Sequence, residues 1–444
     1  MKFELELIDS NKQSRIAILD TEFSKLYWKD NNKNLISEHQ FPKKKHDAII
    51  PISHENPGHK SKNLKSVKIQ LGFACNFTCN YCSQNSLRDK NQTAIKDQIQ
   101  RTENFINKLP AFFGSGDSGD GTDVSIEFWG GETLIYWESV KLLTIFFRNK
   151  FPKINLGLFT NGSLITQEMA DFAAQHRLHF VISHDGPSFS RDRSKDPLDS
   201  PMTKENIIYM FNKLSPLNLI SFNATISVHN HSLVDIANYI ANKLNTHPTN
   251  LSLHYELATP YDQQTLKYVV KENFRDEFIQ IIYQEFLNQF PFRLNAGNID
   301  KDLKNFYNMF SENRPLSTMY QKCNMDNPTS LALDLEGNVL TCQNVTANAG
   351  HKIGELSKFE NIQLNTSTHF LNRDSCLKCP VVNICKGSCM FLQGEMWEAA
   401  CEQHYTWSLA LLACAIKLET DYTLTKINGS NLRNKKEISN NVII

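Results

Sequence analysis

The sequence predicts an α/β protein: an open (β/α) barrel of six units followed by a cysteine-rich C-terminal segment. Three observations carry that expectation. From Lys65 onward, short apolar runs alternate with longer helical patterns, and strands that alternate with helices build parallel sheets. Six such runs precede residue 258, enough for a partial barrel whose reactive groups belong at the carboxyl ends of its strands. Seven cysteines then crowd the stretch from Cys323 to Cys401.

Residues 1–64 begin with two alternating runs, Phe3 to Leu7 and Arg15 to Leu19, which read as a small β-meander or hairpin. A basic, turn-rich linker follows, with Lys43-Lys44-Lys45 and Asn56-Pro57-Gly58. Residues 65–258 are the expected barrel. Its strand candidates are Val67 to Leu71, Val124 to Trp129, Ile154 to Phe159, His179 to Ser183, Ser221 to Val228 and Leu251 to Leu257. Helical patterns such as Val140 to Arg148 and Lys204 to Leu214 separate them. The run Gly114 to Gly121, all glycine, serine and aspartate, has no apolar anchor and reads as a mobile surface loop. Calcium binding is the alternative for it, although the bidentate Glu of a calcium loop is missing. Residues 259–320 read as a bridging helical segment, 321–405 as the cysteine-rich domain and 406–444 as a C-terminal helix with a polar tail.

At 444 residues the chain exceeds what one core usually supports. Its 47 basic and 47 acidic side chains cancel, so no global field favours nucleic acid. The first residues lack the apolar core of a signal peptide, and the apolar run Trp407 to Ile416 is too short to span a bilayer. The expectation is a cytoplasmic protein without membrane contact. Eleven cysteines in such a chain point to metal binding rather than disulfides.

The most telling of them follow the first barrel strand. Cys75, Cys79 and Cys82 have the spacing CxxxCxxC, with Tyr81 directly before the last. A [4Fe–4S] cube has four irons to ligate, so three thiolates leave one iron open to a small molecule. A structural zinc site is the alternative, although no fourth Cys or His lies close by. Gly130-Gly131-Glu132 follows the second strand, and Ser183-His184-Asp185-Gly186-Pro187 the fourth.

Together these segments resemble the radical S-adenosylmethionine (SAM) enzymes. The resemblance implies a partial (β/α)6, TIM-like radical SAM barrel in which Cys75, Cys79 and Cys82 hold a cluster and its open iron binds SAM. An electron from the cluster then splits SAM into methionine and a 5′-deoxyadenosyl radical that abstracts hydrogen from a substrate. The resemblance further implies that Tyr81 packs near the adenine, that Gly130, Gly131 and Glu132 meet the methionine amino group, and that Ser183 and Asp185, with Asn223 a further candidate, contact the ribose. Turn chemistry is the alternative for the glycines and for Asp185-Gly186-Pro187.

The later cysteines read C-x2-C-x5-C-x3-C from Cys376 through Cys379, Cys385 and Cys389, followed by Cys401; Gly337 and Cys342 form a G-x4-C hairpin signature. This block resembles the SPASM domain of radical SAM maturases, which holds two auxiliary [4Fe–4S] clusters; zinc is again the alternative. The resemblance assigns Cys323, Cys342 and Cys389 to one cluster and Cys376, Cys379, Cys385 and Cys401 to the other. The first set has only three thiolates, which leaves its fourth corner open, bound by another side chain, or available to substrate. Cys414 is left over and reads as a buried helical thiol.

Two enzymatic functions fit. One is a maturase that crosslinks a ribosomally made peptide; the other is an anaerobic sulfatase maturase that forms formylglycine. In the sulfatase maturases an Asp directly after the second SPASM cysteine is the proposed base, whereas Cys342 is followed by Gln343, which takes no proton at neutral pH. That departure favours the peptide maturase. A peptide or protein substrate, an electron donor such as a flavodoxin or ferredoxin, and a separate peptide-recognition protein are the partners to expect. An inactive binding protein is the third possibility, against which the intact cysteine loop argues.

Overall fold

The computed structural model describes residues 1–36, 46–87, 97–193, 195–295, 301–366 and 368–428. The basic run Lys43-Lys44-Lys45 and the tail beyond residue 428 lie outside them.

The strands, in chain order, are β1 (Lys2–Ile8), β2 (Ser14–Asp20), β3 (Lys25–Trp28), β4 (Gly58–His59), β5 (Ser66–Gln70), β6 (Ser125–Trp129), β7 (Asn155–Thr160), β8 (Leu178–Ser183), β9 (Ile220–Ile226), β10 (Leu253–Leu257), β11 (Ser330–Asp334), β12 (Asn338–Leu340), β13 (Lys352–Glu355), β14 (Gln363–Leu364) and β15 (Thr423–Asn428). The main sheet runs β10-β9-β8-β7-β6-β5-β11-β12-β13. Its strands from β5 to β10 are parallel and coincide with the six expected barrel strands.

Alternation along these strands divides the barrel's two faces. Val67, Ile69, Ile126, Phe128, Leu158, Phe180 and Phe222 are fully buried. Between them, Lys68, Glu127, Gly157, His179, Ser221 and His254 line an internal cavity. The helix Trp137–Lys150 buries Val140, Leu143 and Phe147, and the helix Pro201–Leu214 buries Ile207, Met210 and Leu214. Full burial of each such side chain contributes ~1.5–3 kcal/mol. Helix ends follow their local chemistry: Thr166 and Ser232 accept the N–H groups of Met169 and Asp235, as capping residues do.

The structure departs from the sequence reading in three places. Strand β11, from the cysteine-rich segment, pairs in parallel with β5 and so extends the barrel sheet. The expected C-terminal helix, Gly394–Thr420, is followed by β15, which pairs with β1 to complete the sheet β15-β1-β2-β3. The loop of glycine and aspartate is anchored: the Lys65 ammonium bonds Asp117 and Asp123, and Lys153 lies 2.9 Å from Asp120. Cys414 is fully buried in its helix, as expected. Among the described residues no helix is long and apolar enough to cross a membrane.

Asn383 connects the N-terminal sheet to the cysteine-rich segment by donating to the Thr21 carbonyl and the Ser24 hydroxyl, each at 2.8 Å. All three residues are buried. We expect Asn383→Ala to cost about 1–3 kcal/mol by leaving a buried acceptor unpaired. Hydrogen exchange should show the loss as faster exchange in residues 17–28, with barrel strands unchanged.

Candidate active site

The site is built at the carboxyl edge of β5 to β9. After β5 the chain turns through Gly72-Phe73-Ala74 into Cys75, and after β6 it turns through Gly130-Gly131-Glu132. The two turns bond through their backbones: Gly131 N–H donates to the Gly72 carbonyl at 2.9 Å, and Glu132 N–H to the Ala74 carbonyl at 2.8 Å. A Cβ on Gly131 would stand 2.6 Å from the Ala74 and Phe73 carbonyl oxygens, and one on Gly130 2.8 Å from the Gly72 oxygen. The glycines therefore let one loop approach the other, a role the ligand-contact reading missed. Tyr136 adds its hydroxyl, which accepts the Ala74 N–H at 3.0 Å.

Glu132 joins β6 to β7. Its carboxylate accepts the Leu134 N–H at 2.9 Å, the Thr160 hydroxyl at 2.6 Å and the Asn161 N–H at 2.7 Å. Burial raises its pKa, and these donors oppose the rise.

Asp185, expected at the ribose, is held by groups of the protein itself. Arg193 binds it with two nitrogens at 2.7 and 3.0 Å, Thr225 N–H donates at 2.9 Å, and the Tyr81 hydroxyl donates as well. Burial would raise this carboxyl, but Arg193 and the other donors hold it below its ordinary value. The Arg193 guanidinium also lies 5.5 Å from the Tyr81 ring centre. Tyr81 and Asp185 are thereby tied to each other through an arginine that sequence reading passed over; its only signal was an opposite charge eight residues beyond Asp185. Ser183 and Asn223 are paired across β8 and β9, and Asn223 faces the cavity.

The loop thiols share one field. Burial pushes Cys79 up to about 12, Arg193 opposes the shift, and Cys82, Asp185 and Cys75 add to it. Two further sets form in the C-terminal segment. Burial pushes Cys323 up to about 12, with Cys342 and Cys389 adding to the rise. Burial likewise raises Cys376, reinforced by Cys385, Cys401 and Cys379. These groupings bring together the cysteines that the family resemblance assigns to common clusters. Arg373 feels thiols of both C-terminal sets, Cys376, Cys401 and Cys389. It is fixed there by bonds to the Thr368 and Leu392 carbonyls at 2.9 and 2.8 Å and lies 4.2 Å from the Trp397 ring centre.

Cys323, Cys342 and Cys389 line the same cavity as the inward face of the barrel, with a volume of about 1620 Å³. Among the described residues no three His, Cys, Asp or Glu converge on a single metal ion. A cubane asks something else, one donor for each iron corner. Grouped thiols fit that demand, and metal binding releases the protons that burial holds on them.

Two outcomes follow. Gly131→Ala should destabilise the fold by about 1–3 kcal/mol through overpacking, read as a lower thermal midpoint and loss of iron from the Cys75 loop. Arg373→Gln removes a cation that would favour the more negative, reduced form of any cluster held by those thiols. Potentiometric titration followed by electron paramagnetic resonance (EPR) should show both auxiliary potentials moving negative.

No family model matches the chain. It is 22% identical over 343 residues to the radical SAM cyclopropyl synthase TigE of Paramaledivibacter caminithermalis, covering 74% of this chain and 68% of that protein. It is 21% identical over 364 residues to a cysteine-type anaerobic sulfatase-maturating enzyme of Clostridium perfringens, covering 74% and 90% respectively. The solved structure of native anSMEcpe with bound AdoMet matches with a TM-score of 0.55 at 17% identity, over 80% of this chain and 98% of that one. With the cysteine loop placed at the barrel's carboxyl edge and these likenesses beside it, the chain is similar to radical SAM maturases and is an enzyme that works with [4Fe–4S] clusters and SAM.

Proposed function

We propose that this enzyme modifies a ribosomally made peptide, most simply by crosslinking it, with Cys75, Cys79 and Cys82 holding the SAM-binding cluster and the seven later cysteines holding two auxiliary clusters. The observation that carries the peptide reading is the cavity. At about 1620 Å³ it exceeds the ~300–1,000 Å³ of ordinary small-molecule sites. Its wall combines aromatic surface, Trp129 and Phe159 stacked at 3.9 Å between centres, with polar groups such as Glu127, Asn223 and His254. An extended peptide segment has both kinds of surface to offer.

When bound, the cluster and SAM supply a 5′-deoxyadenosyl radical that takes a hydrogen atom from the substrate. The chain's own part is placement. Gly130 and Gly131 hold the cysteine loop against β6, and Glu132, Ser183 and Asn223 border the space for SAM. Tyr81 and Asp185, bonded to Arg193, brace it. Gln343 supports the crosslinking reading over formylglycine formation. Its amide oxygen accepts from the Cys342 thiol at 3.3 Å and from Lys68 at 3.5 Å, so a neutral group occupies the place of the expected base. A flavodoxin or ferredoxin would deliver the electron, and a separate recognition protein would present the peptide.

Anaerobically reconstituted protein with a strong reductant should release 5′-deoxyadenosine, and the combined Cys75→Ala, Cys79→Ala and Cys82→Ala variant should release none. With a short peptide encoded beside the enzyme, mass spectrometry should find a product lighter by two hydrogens. A carbonyl formed on a sulfatase-derived peptide, with no neighbouring peptide changed, would overturn the crosslinking reading.

A further inference from the structure

The set Cys323, Cys342 and Cys389 is one donor short of a cubane, and a phenol lines the same cavity as its three thiols. Tyr261 lies on the loop after β10 and lines the same cavity as the three thiols. Burial and the charges of Cys389, Cys342 and Cys323 raise its phenol well above the ordinary value, so in the unloaded protein the phenol keeps its proton. The ring keeps 39% of its surface open although protein surrounds it, because it faces the cavity. Cys323 is likewise exposed yet lines the same cavity. A phenol and three thiols thus face one space.

The loop that carries Tyr261 is held in place. Tyr261 and Asp262 donate their N–H groups to the Thr265 hydroxyl at 2.9 and 3.0 Å. Gln403 donates to the Ala258 carbonyl at 2.7 Å, and Gln263 to Glu395 at 2.8 Å. Both contacts fasten the loop to the helix Gly394–Thr420, which also carries Cys401. The neighbouring Gln343 amide is already engaged with Cys342 and Lys68.

We propose that Tyr261 is the fourth protein ligand of the auxiliary cluster held by Cys323, Cys342 and Cys389, an inference that rests on the cluster assignment under the proposed function. On loading, the phenol O–H bond breaks, an Fe–O bond forms and the proton leaves to solvent; no electron is transferred. The protein then closes that iron itself, and the cluster serves to move electrons rather than to anchor a substrate thiolate.

The test uses the full chain with Cys75, Cys79 and Cys82 all changed to Ala, so that only auxiliary clusters contribute. About eight irons per chain are expected, four for each cluster. Resonance Raman spectra of protein grown with ring-deuterated tyrosine should contain isotope-sensitive phenolate bands, which Tyr261→Phe should abolish. Added 2-mercaptoethanol should change the EPR spectrum of reduced Tyr261→Phe and leave that of the Tyr261 protein unchanged. Where Tyr261→Phe loses iron, Tyr261→Cys should restore about eight irons without phenolate bands. Identical Raman and EPR spectra with and without Tyr261, or 2-mercaptoethanol binding to the Tyr261 protein, would overturn the proposal. Deoxyadenosine formation by the unsubstituted enzyme is read separately, so its failure would count against the function and not against this ligand.

Discussion

The backbone contact between the turns after β5 and β6 is the constraint on which the rest of the site depends. A loop carrying three thiolates has no reason of its own to hold a tripod shape, since ordering each residue costs about 1–2 kcal/mol in backbone entropy. Here two of its carbonyls accept N–H groups from the neighbouring turn, and the absence of Cβ atoms at residues 130 and 131 lets that happen. The cysteines inherit their positions from the parallel pairing of β5 with β6.

A second layer is electrostatic. Glu132 and Asp185 are nearly inaccessible carboxylates, and burying such a group is costly unless it is paired and hydrogen-bonded. Both are. Glu132 ties β6 to β7, and Asp185 ties β8 to β9 through the Thr225 N–H and to the cysteine loop through Tyr81. Removing one partner of the Asp185–Arg193 pair would leave the other as an uncompensated charge, so the pair acts as a lock on loop position. The buried His184 extends this lock: its Nδ1 accepts the Gly186 N–H, so Nε2 must be the atom that donates to Asp196.

What could be read from sequence was what has a local signature. Six strands showed as short apolar runs separated by helical periodicity, and all six lie where those runs are. The cysteine motifs stood out by their spacing, whereas the division of the later seven into two sets came from the family resemblance. Contacts closed by distant segments had no such signature. Nothing near residue 423 indicates pairing with β1, and nothing near Ser330 indicates a parallel partner at β5, because pairing of that kind is decided by the packing of whole elements. Arg193 and Tyr261 escaped notice for the same reason: each lies in a loop of polar and turn residues, and its partners are far away in sequence. The glycines at residues 130 and 131 were noticed for ligand approach, and the structure adds that they admit the backbone of the turn after β5.

The extension of the barrel by β11 has a functional consequence. Because β11 pairs with β5, the hairpin that carries Cys342 shares a sheet with the strand that leads to Cys75. Gln70, at the end of β5, reinforces this by donating to the Gln343 and Val345 carbonyls at 2.8 and 3.0 Å. Cys342 and the turn leading to Cys75 are therefore held relative to one another by strand pairing and by the Gln70 amide rather than by a linker. The cavity runs along the barrel's inner face and reaches Cys323, Cys342 and Cys389. Removal of a hydrogen atom leaves an electron to be disposed of before a closed-shell product can form. Arg373, placed among thiols of both C-terminal sets, is a fixed positive charge beside any cluster those thiols would hold.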